Sequence, residues 1–165
     1  MAESVLDAEQ PAPDIETHEI ALRREVLTAA LYFEADPLIR GHAKEVCDFR
    51  GHELDPDLEK YLQMEGAGIL RVYTARRGPK LIGYSIYILA NHLHYKAVSQ
   101  ANHYLAFIDP LERGFGRSFL EWCEDELKQE GIKMMVYQAK PGSKFYQIIS
   151  SMKVREMEHI FCKEI

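Results

Sequence analysis

The stretch "FIDPLERGFGRSFLEW", residues 107–122, decides how the rest of the chain is read. An apolar, strand-like run meets Pro110, and a loop follows that holds Arg113, Gly114, Gly116 and Arg117. Beyond it Phe115, Phe119, Leu120, Cys123 and Leu127 recur at spacings of four, one, three and four, with Glu121, Glu124, Asp125 and Lys128 between them. That period predicts an amphipathic helix, ended at Gly131. Glycines just before a helix remove Cβ atoms where a ligand would approach the backbone, and the helix amides and dipole favour a negative group there. With Arg113 and Arg117 beside it, the loop suits a phosphate. A Walker loop would need Gly-x-x-x-x-Gly-Lys, which is absent, and a dinucleotide fingerprint would need glycine where Phe119 stands. A Gly-x-Gly turn is also an ordinary way to start any helix after a strand, so the spacing alone leaves both readings open.

Upstream of the loop, "ILRVYTA" (69–75) and "LIGYSIYILA" (81–90) are rich in β-branched and aromatic residues and are separated by "RRGPK". They read as two antiparallel strands with a tight connection, and "ANHYLAFID" (101–109) as a third strand. "HELDPDLEKYLQMEGAG" (52–68) reads as a short helix capped by Asp55 or Asp57 and closed by glycines. From Ile20 to Cys47 the apolar spacing suits two short helices joined at "ADP", where Pro37 interrupts. Downstream, "KMMVYQ" (133–138) reads as a strand, "SKFYQIISSM" (143–152) as a short helix and "REMEHIFCKEI" (155–165) as a final alternating strand. The expected fold is a mixed α/β, or α+β, domain spanning 17–165, with helices against a central, mostly antiparallel sheet. Residues 1–16 hold five acidic residues, two prolines and no basic residue, the composition of a mobile acidic tail.

At 165 residues, 47% hydrophobic and 28% charged, the chain is long enough for one packed domain. No cationic leader followed by an apolar run opens the chain and no run is long enough to cross a bilayer, so the expectation is a cytoplasmic protein without a membrane partner. Cys47, Cys123 and Cys162 are odd in number and widely spaced, which suggests buried small hydrophobes and neither disulfides nor a zinc ribbon. A net charge of −6 argues against nucleic acid as the main partner, though not against a small anion held by a local cluster. His92 and His94 in "NHLHY" would share a face of an extended segment and, with His103, compose a metal site on paper. Solvated loop histidines, or a wall of a substrate pocket, fit them better, and no metal is expected.

The block from Ile82 to Cys162 resembles the GNAT acetyltransferase superfamily, most of all its phage-encoded members. The features that carry the resemblance are "AFIDP", "RGFGRS", the helix to Gly131, "MMVYQ" and "KFYQIISSM", in that order. In one register Arg113 and Gly116 match the family's Arg/Gln-x-x-Gly-x-Gly/Ala loop, with Ser118 in place of glycine or alanine. In the other, Gly114 and Gly116 match and Leu111 takes the Arg/Gln place. The resemblance implies acetyl-coenzyme A as donor, its pyrophosphate on residues Arg113, Gly114, Phe115, Gly116, Arg117 and Ser118 and its pantetheine arm along Ala106, Phe107 and Ile108. A host-cytoplasmic location would follow if the chain is phage-encoded.

Acetyl transfer to an amine needs a deprotonated nucleophile, oxyanion stabilisation and a proton for the leaving thiolate. The "FYQ" context of Tyr146 resembles the family's general-acid tyrosine, although Met152-Lys153 replaces the usual Gly-Phe pair after it. His103 and Tyr104 are the candidate bases on the third strand: chemistry favours the imidazole, the parity of family positions favours Tyr104, and a water chain would serve instead of either. Alternation places these neighbours on opposite sheet faces unless a bulge intervenes. Two functions follow. The first is an acetyl-CoA-dependent N-acetyltransferase whose acceptor is a small-molecule amine or a protein amino group. The second is a catalytically silent module that keeps the fold for binding or assembly, as a phage accessory or virion protein would. Exposed strand edges would permit a homodimer.

Overall fold

The structure, a computed structural model, describes residues 19–46, 51–158 and 160. The order of elements is β1 (Ile20–Glu25), α1 (Ala29–Val46), α2 (Leu58–Gly66), β2 (Leu70–Arg77), β3 (Lys80–Asn91), β4 (Ser99–Ile108), α3 (Gly116–Gln129), β5 (Met134–Val136) and α4 (Lys144–Ser151). A 3-10 turn over Pro110–Glu112 links β4 to the loop before α3. The five strands form one sheet in sequence order. All neighbours are antiparallel except β4 and β5, which are parallel because α3 carries the chain across between them. The mixed α/β expectation, with a mostly antiparallel sheet, is met.

Strand alternation sorts the core onto two faces. Leu70, Val72, Leu81, Tyr84 and Phe107 pack under Leu27, Leu31 and Leu38 of the α1 side. Tyr73 and Ile82, next to Val72 and Leu81 in the chain, pack instead, with Tyr87, against Phe119, Cys123 and Leu127, the stripe read from the sequence as the buried side of α3. Cys123 is wholly buried, as a small hydrophobe; Cys47 and Cys162 lie outside the described residues. Asp57 caps α2 by accepting from the Lys60 amide, and Gly78 (φ +58°) with Pro79 makes the two-residue turn between β2 and β3.

Three expectations differ. Residues 20–25 are an edge strand and not the start of a helix: Ile20 to Glu25 pair with Arg77 to Val72 of β2. Glu25 is fixed there by Thr74, whose hydroxyl donates to it, and by Arg76, whose Nε donates at 2.7 Å. The two short helices are one, since α1 runs through Pro37. Pro37 lies exposed while Leu31 and Leu38 on either side are buried against the sheet, so packing of both halves outweighs the backbone bond that proline removes. The final strand is not formed over 154–158, where the chain has no regular structure; residue 159 and residues 161–165 of that segment, like the acidic tail at 1–16, lie outside the described residues.

Candidate active site

β4 and β5 stay paired only from Gln100–Met134 to Asn102–Val136. Past Asn102 they separate, and β4 keeps β3 on one side but has no strand on the other from His103 to Ile108 among the described residues. Aromatic rings fill the root of this wedge. His103 is sandwiched between Phe145 at the start of α4 (ring centroids 4.7 Å apart), Tyr137 just after β5 (5.5 Å) and Tyr87 of β3 (5.3 Å). Tyr137, the residue after β5, donates a 2.7 Å hydrogen bond from its hydroxyl to Glu124 of α3.

A bulge sits at the same point. Leu105 faces Ile86 and His103 faces Tyr87, so Tyr104 is an extra residue in β4. His103 goes to the α3 and α4 face, while Tyr104 and Leu105 both line a cavity on the α1 and α2 face. Of the two candidate bases, therefore, only Tyr104 borders open space. It is 54% exposed, whereas His103 is 5% exposed, and neither ring nitrogen of His103 has a hydrogen-bond partner among the described residues. Burial, with His42 adding to it, pulls the His103 pKa down to about 3, so the imidazole is neutral.

The loop after β4 leads into an open helix end. Gly114 has φ +132°, a conformation that a side chain would strain, and a Cβ there would meet nothing within 4 Å. α3 starts after Phe115 without a side-chain cap and without an acidic residue in its first turn. The amides of the first turn are thus available to an anion. Ser118, the departure from the glycine or alanine of the resemblance, turns its hydroxyl back to donate to the Phe115 carbonyl at 2.8 Å. Arg117 pairs with Glu121 at 2.9 Å along the helix. Arg113 reaches across to α1, where its Nη2 donates to both Glu45 oxygens at 2.6 and 2.7 Å, and its guanidinium stands over the Phe107 ring. Glu45 carried no signal in the sequence, because the contact spans 68 residues.

α4 flanks the wedge. Ser143 caps it by accepting from the Tyr146 amide at 3.0 Å, which places Tyr146, half-buried, in the first turn next to Phe145. Ile148 approaches Gly116 so closely that a Cβ there would lie 3.4 Å from its Cδ1. α4 thereby packs against the start of α3 through Ile148. The cavity, about 800 Å³, lies between α1, α2 and the sheet and reaches Tyr104, Leu105 and, on the β5–α4 loop, Lys140. On its floor His42 Nδ1 and the Tyr84 hydroxyl share a 3.0 Å hydrogen bond; burial lowers the His42 pKa against the pull of Glu45 and raises that of Tyr84. His92 and His94 stand on the β3–β4 connection with rings 6.1 Å apart, away from buried His103, and no group of three metal-binding side chains occurs among the described residues. Nor is any described helix long and apolar enough to cross a membrane.

No protein-family model matches the sequence, and no curated protein sequence matches it significantly. Solved structures do match. An aminoglycoside acetyltransferase from an uncultured soil metagenomic sample superposes with a TM-score of 0.69 at 14% identity, over 88% of this chain and 96% of that one. The fold is that of the GNAT acetyltransferases. The ribosomal-protein-alanine N-acetyltransferase of Brucella melitensis gives 0.68 at 12% identity, over 90% of this chain and all of the other. A predicted acetyltransferase of Clostridium acetobutylicum, solved with acetyl-CoA, gives 0.62 at 13% over 88% and 96%. At these identities the GNAT likeness establishes architecture, and the wedge, bulge and amide turn of this chain have to carry any statement about chemistry.

Proposed function

We propose that the protein is an acetyl-CoA-dependent N-acetyltransferase. The observation that carries this reading is the edge of β4 from His103 to Ile108, which has no strand beside it on one side among the described residues and is followed, after the 3-10 turn, by the uncapped amide turn of α3. An amide-bearing arm ending in a diphosphate matches that sequence of groups: peptide edges first, then converging N–H donors. Ala106, Phe107 and Ile108 would pair with the arm, and residues 113–118 would hold the diphosphate, with Arg113 exchanging Glu45 for phosphate oxygens. Acetyl-CoA, when bound, supplies an acyl group activated as a thioester. The amine nitrogen forms a bond to the acetyl carbon as the carbon–sulfur bond breaks, and the Tyr146 hydroxyl gives its proton to the departing sulfur. A water hydrogen-bonded to Tyr104 carries the proton lost by the amine to solvent, and solvent returns a proton to Tyr146. His103 acts as a neutral aromatic plug that keeps β4 and β5 apart, and it is the fixed member of the wedge and not the base.

The silent-module reading draws on one observation: both loop arginines are already paired with carboxylates, Arg113 with Glu45 and Arg117 with Glu121. The two readings separate on Ser118→Glu. A carboxylate at the third helical position favours the helix dipole, so the variant should be as stable as the parent or more so. It also puts a charge among the amides, and acetyl-CoA affinity measured by calorimetry should fall at least about tenfold. Unchanged affinity, or none in the parent at millimolar cofactor, would overturn the transferase.

A further inference from the structure

Resting on the transferase reading above, the geometry points to the class of acceptor: we propose a small amine with an apolar body and a single ammonium group, its body seated in the cavity between α1, α2 and the sheet. The cavity's volume, about 800 Å³, is in the range that encloses a small organic molecule. Its walls are apolar, from Leu27, Leu31 and Ile39 on the α1 side to Val72, Ile86 and Leu105 on the sheet. The polar pair lining it, His42 and Tyr84, is neutral and mutually hydrogen-bonded through His42 Nδ1, so it brings no charge to a ligand.

Charge is confined to the margins. Among the described residues, the charged groups bordering the cavity are Glu53 and Asp55, both exposed on the segment between α1 and α2, and Lys140 on the β5–α4 loop; His52 stands beside the two carboxylates. Rim carboxylates draw a cationic amine to the mouth. Inside, an acceptor with several ammonium groups would have to leave most of them against leucine, isoleucine and tyrosine side chains without a counter-charge, which burial penalises heavily. A peptide would bring backbone amides into the same walls, and Thr74, a polar residue there, already donates its hydroxyl to Glu25. A monoamine with an apolar body escapes both penalties.

The same environment prepares the nucleophile. The cavity meets β4 at the Tyr104 bulge, the end at which the thioester would lie, and there the apolar walls favour the neutral amine over ammonium. The acceptor is partly deprotonated by where it sits, which explains how a site whose only imidazole on β4 is buried can dispense with a strong base.

The test measures thiol release from acetyl-CoA with phenylethylamine, spermidine, tobramycin and an alanine-initiated tripeptide, together with calorimetry of acetyl-CoA and of phenylethylamine on the full chain. Phenylethylamine should exceed each of the others in kcat/KM by about a hundredfold. Ala35→Trp and Ala43→Trp, at two half-buried cavity positions of α1, should each raise its KM about tenfold and leave acetyl-CoA affinity within about twofold. Preference for tobramycin, spermidine or the peptide, or an unchanged KM in both tryptophan variants, overturns the proposal while leaving the transferase standing. Absence of acetyl-CoA binding overturns the transferase instead; phenylethylamine binding that both tryptophans abolish would still uphold the cavity as an apolar-amine site, and no binding would end that too.

Discussion

Replacing His103 with phenylalanine puts the proposed role of β4 under direct strain. The imidazole is 5% exposed among Tyr87, Tyr137 and Phe145, with both nitrogens unpartnered. Its pKa is lowered from 6.5 to about 3, by burial first and by His42 second. As pH falls through the unfolded value the unfolded chain gains a proton and the folded chain does not, so folding stability is complete above that value and is lost toward acid. The slope approaches about 1.4 kcal/mol per pH unit below the unfolded value, giving a loss of about 2 kcal/mol between about pH 6.5 and about pH 4.5. Phenylalanine cannot titrate, and a phenyl ring leaves no buried nitrogen without a partner, which is worth about 1 kcal/mol at neutral pH even after its slightly larger volume is accommodated. Urea unfolding of both proteins across that pH range isolates the effect, because carboxylates common to both cancel in the difference. The variant's advantage should widen by about 2 kcal/mol toward acid. Parallel pH profiles would show that the imidazole is not desolvated as described. In the same samples His103→Phe should retain acetyl transfer within about threefold; a collapse of rate with stability intact would return His103 to the position of base.

Two further outcomes bear on the site. Tyr146→Phe should lower kcat about a hundredfold while acetyl-CoA affinity stays within about twofold, and a full rate across pH would remove the acid assignment. Glu45→Gln releases Arg113 from its bidentate partner, so acetyl-CoA should bind about threefold more tightly by calorimetry; no change would mean that Arg113 does not reach the phosphates.

The elements that the sequence made legible are those with a sustained period and a local stop. α3 is one, with its stripe from Phe119 to Leu127 and Gly131 at its end, and the β2–β3 hairpin around Gly78 is another. The amide turn was legible too, because glycines and a helix start are local facts. What escaped was set by distant partners. "IALRRE" has apolar residues that continue smoothly into the spacing of α1, and only its ladder with β2 and the clasp of Glu25 by Thr74 and Arg76 make it a strand. Nothing in "HYL" announces a bulge either, since the extra residue is defined by the register of β3. The cavity joins α1, α2, the sheet and the β5–α4 loop, so no single segment could display it.

The wedge itself has an energetic consequence that can be measured. An edge strand's free N–H and C=O groups are satisfied by water, and a ligand that replaces that water with amide partners slows their exchange. If the arm of acetyl-CoA pairs with Ala106, Phe107 and Ile108, the outward-facing amides among residues 103–108 should exchange freely in the unliganded protein and become protected on binding, together with those of 114–118. At a hundredfold excess of cofactor over its Kd, the whole protein should gain about 2.7 kcal/mol by linkage. Helix-bound anions produce a different pattern: inorganic pyrophosphate should protect 114–118 and leave 103–108 untouched. Protection confined to the turn even with acetyl-CoA would mean that the opened edge of β4 does not receive the cofactor arm, and that Tyr137 and the stacked His103 and Phe145 fill the space beside it for packing alone.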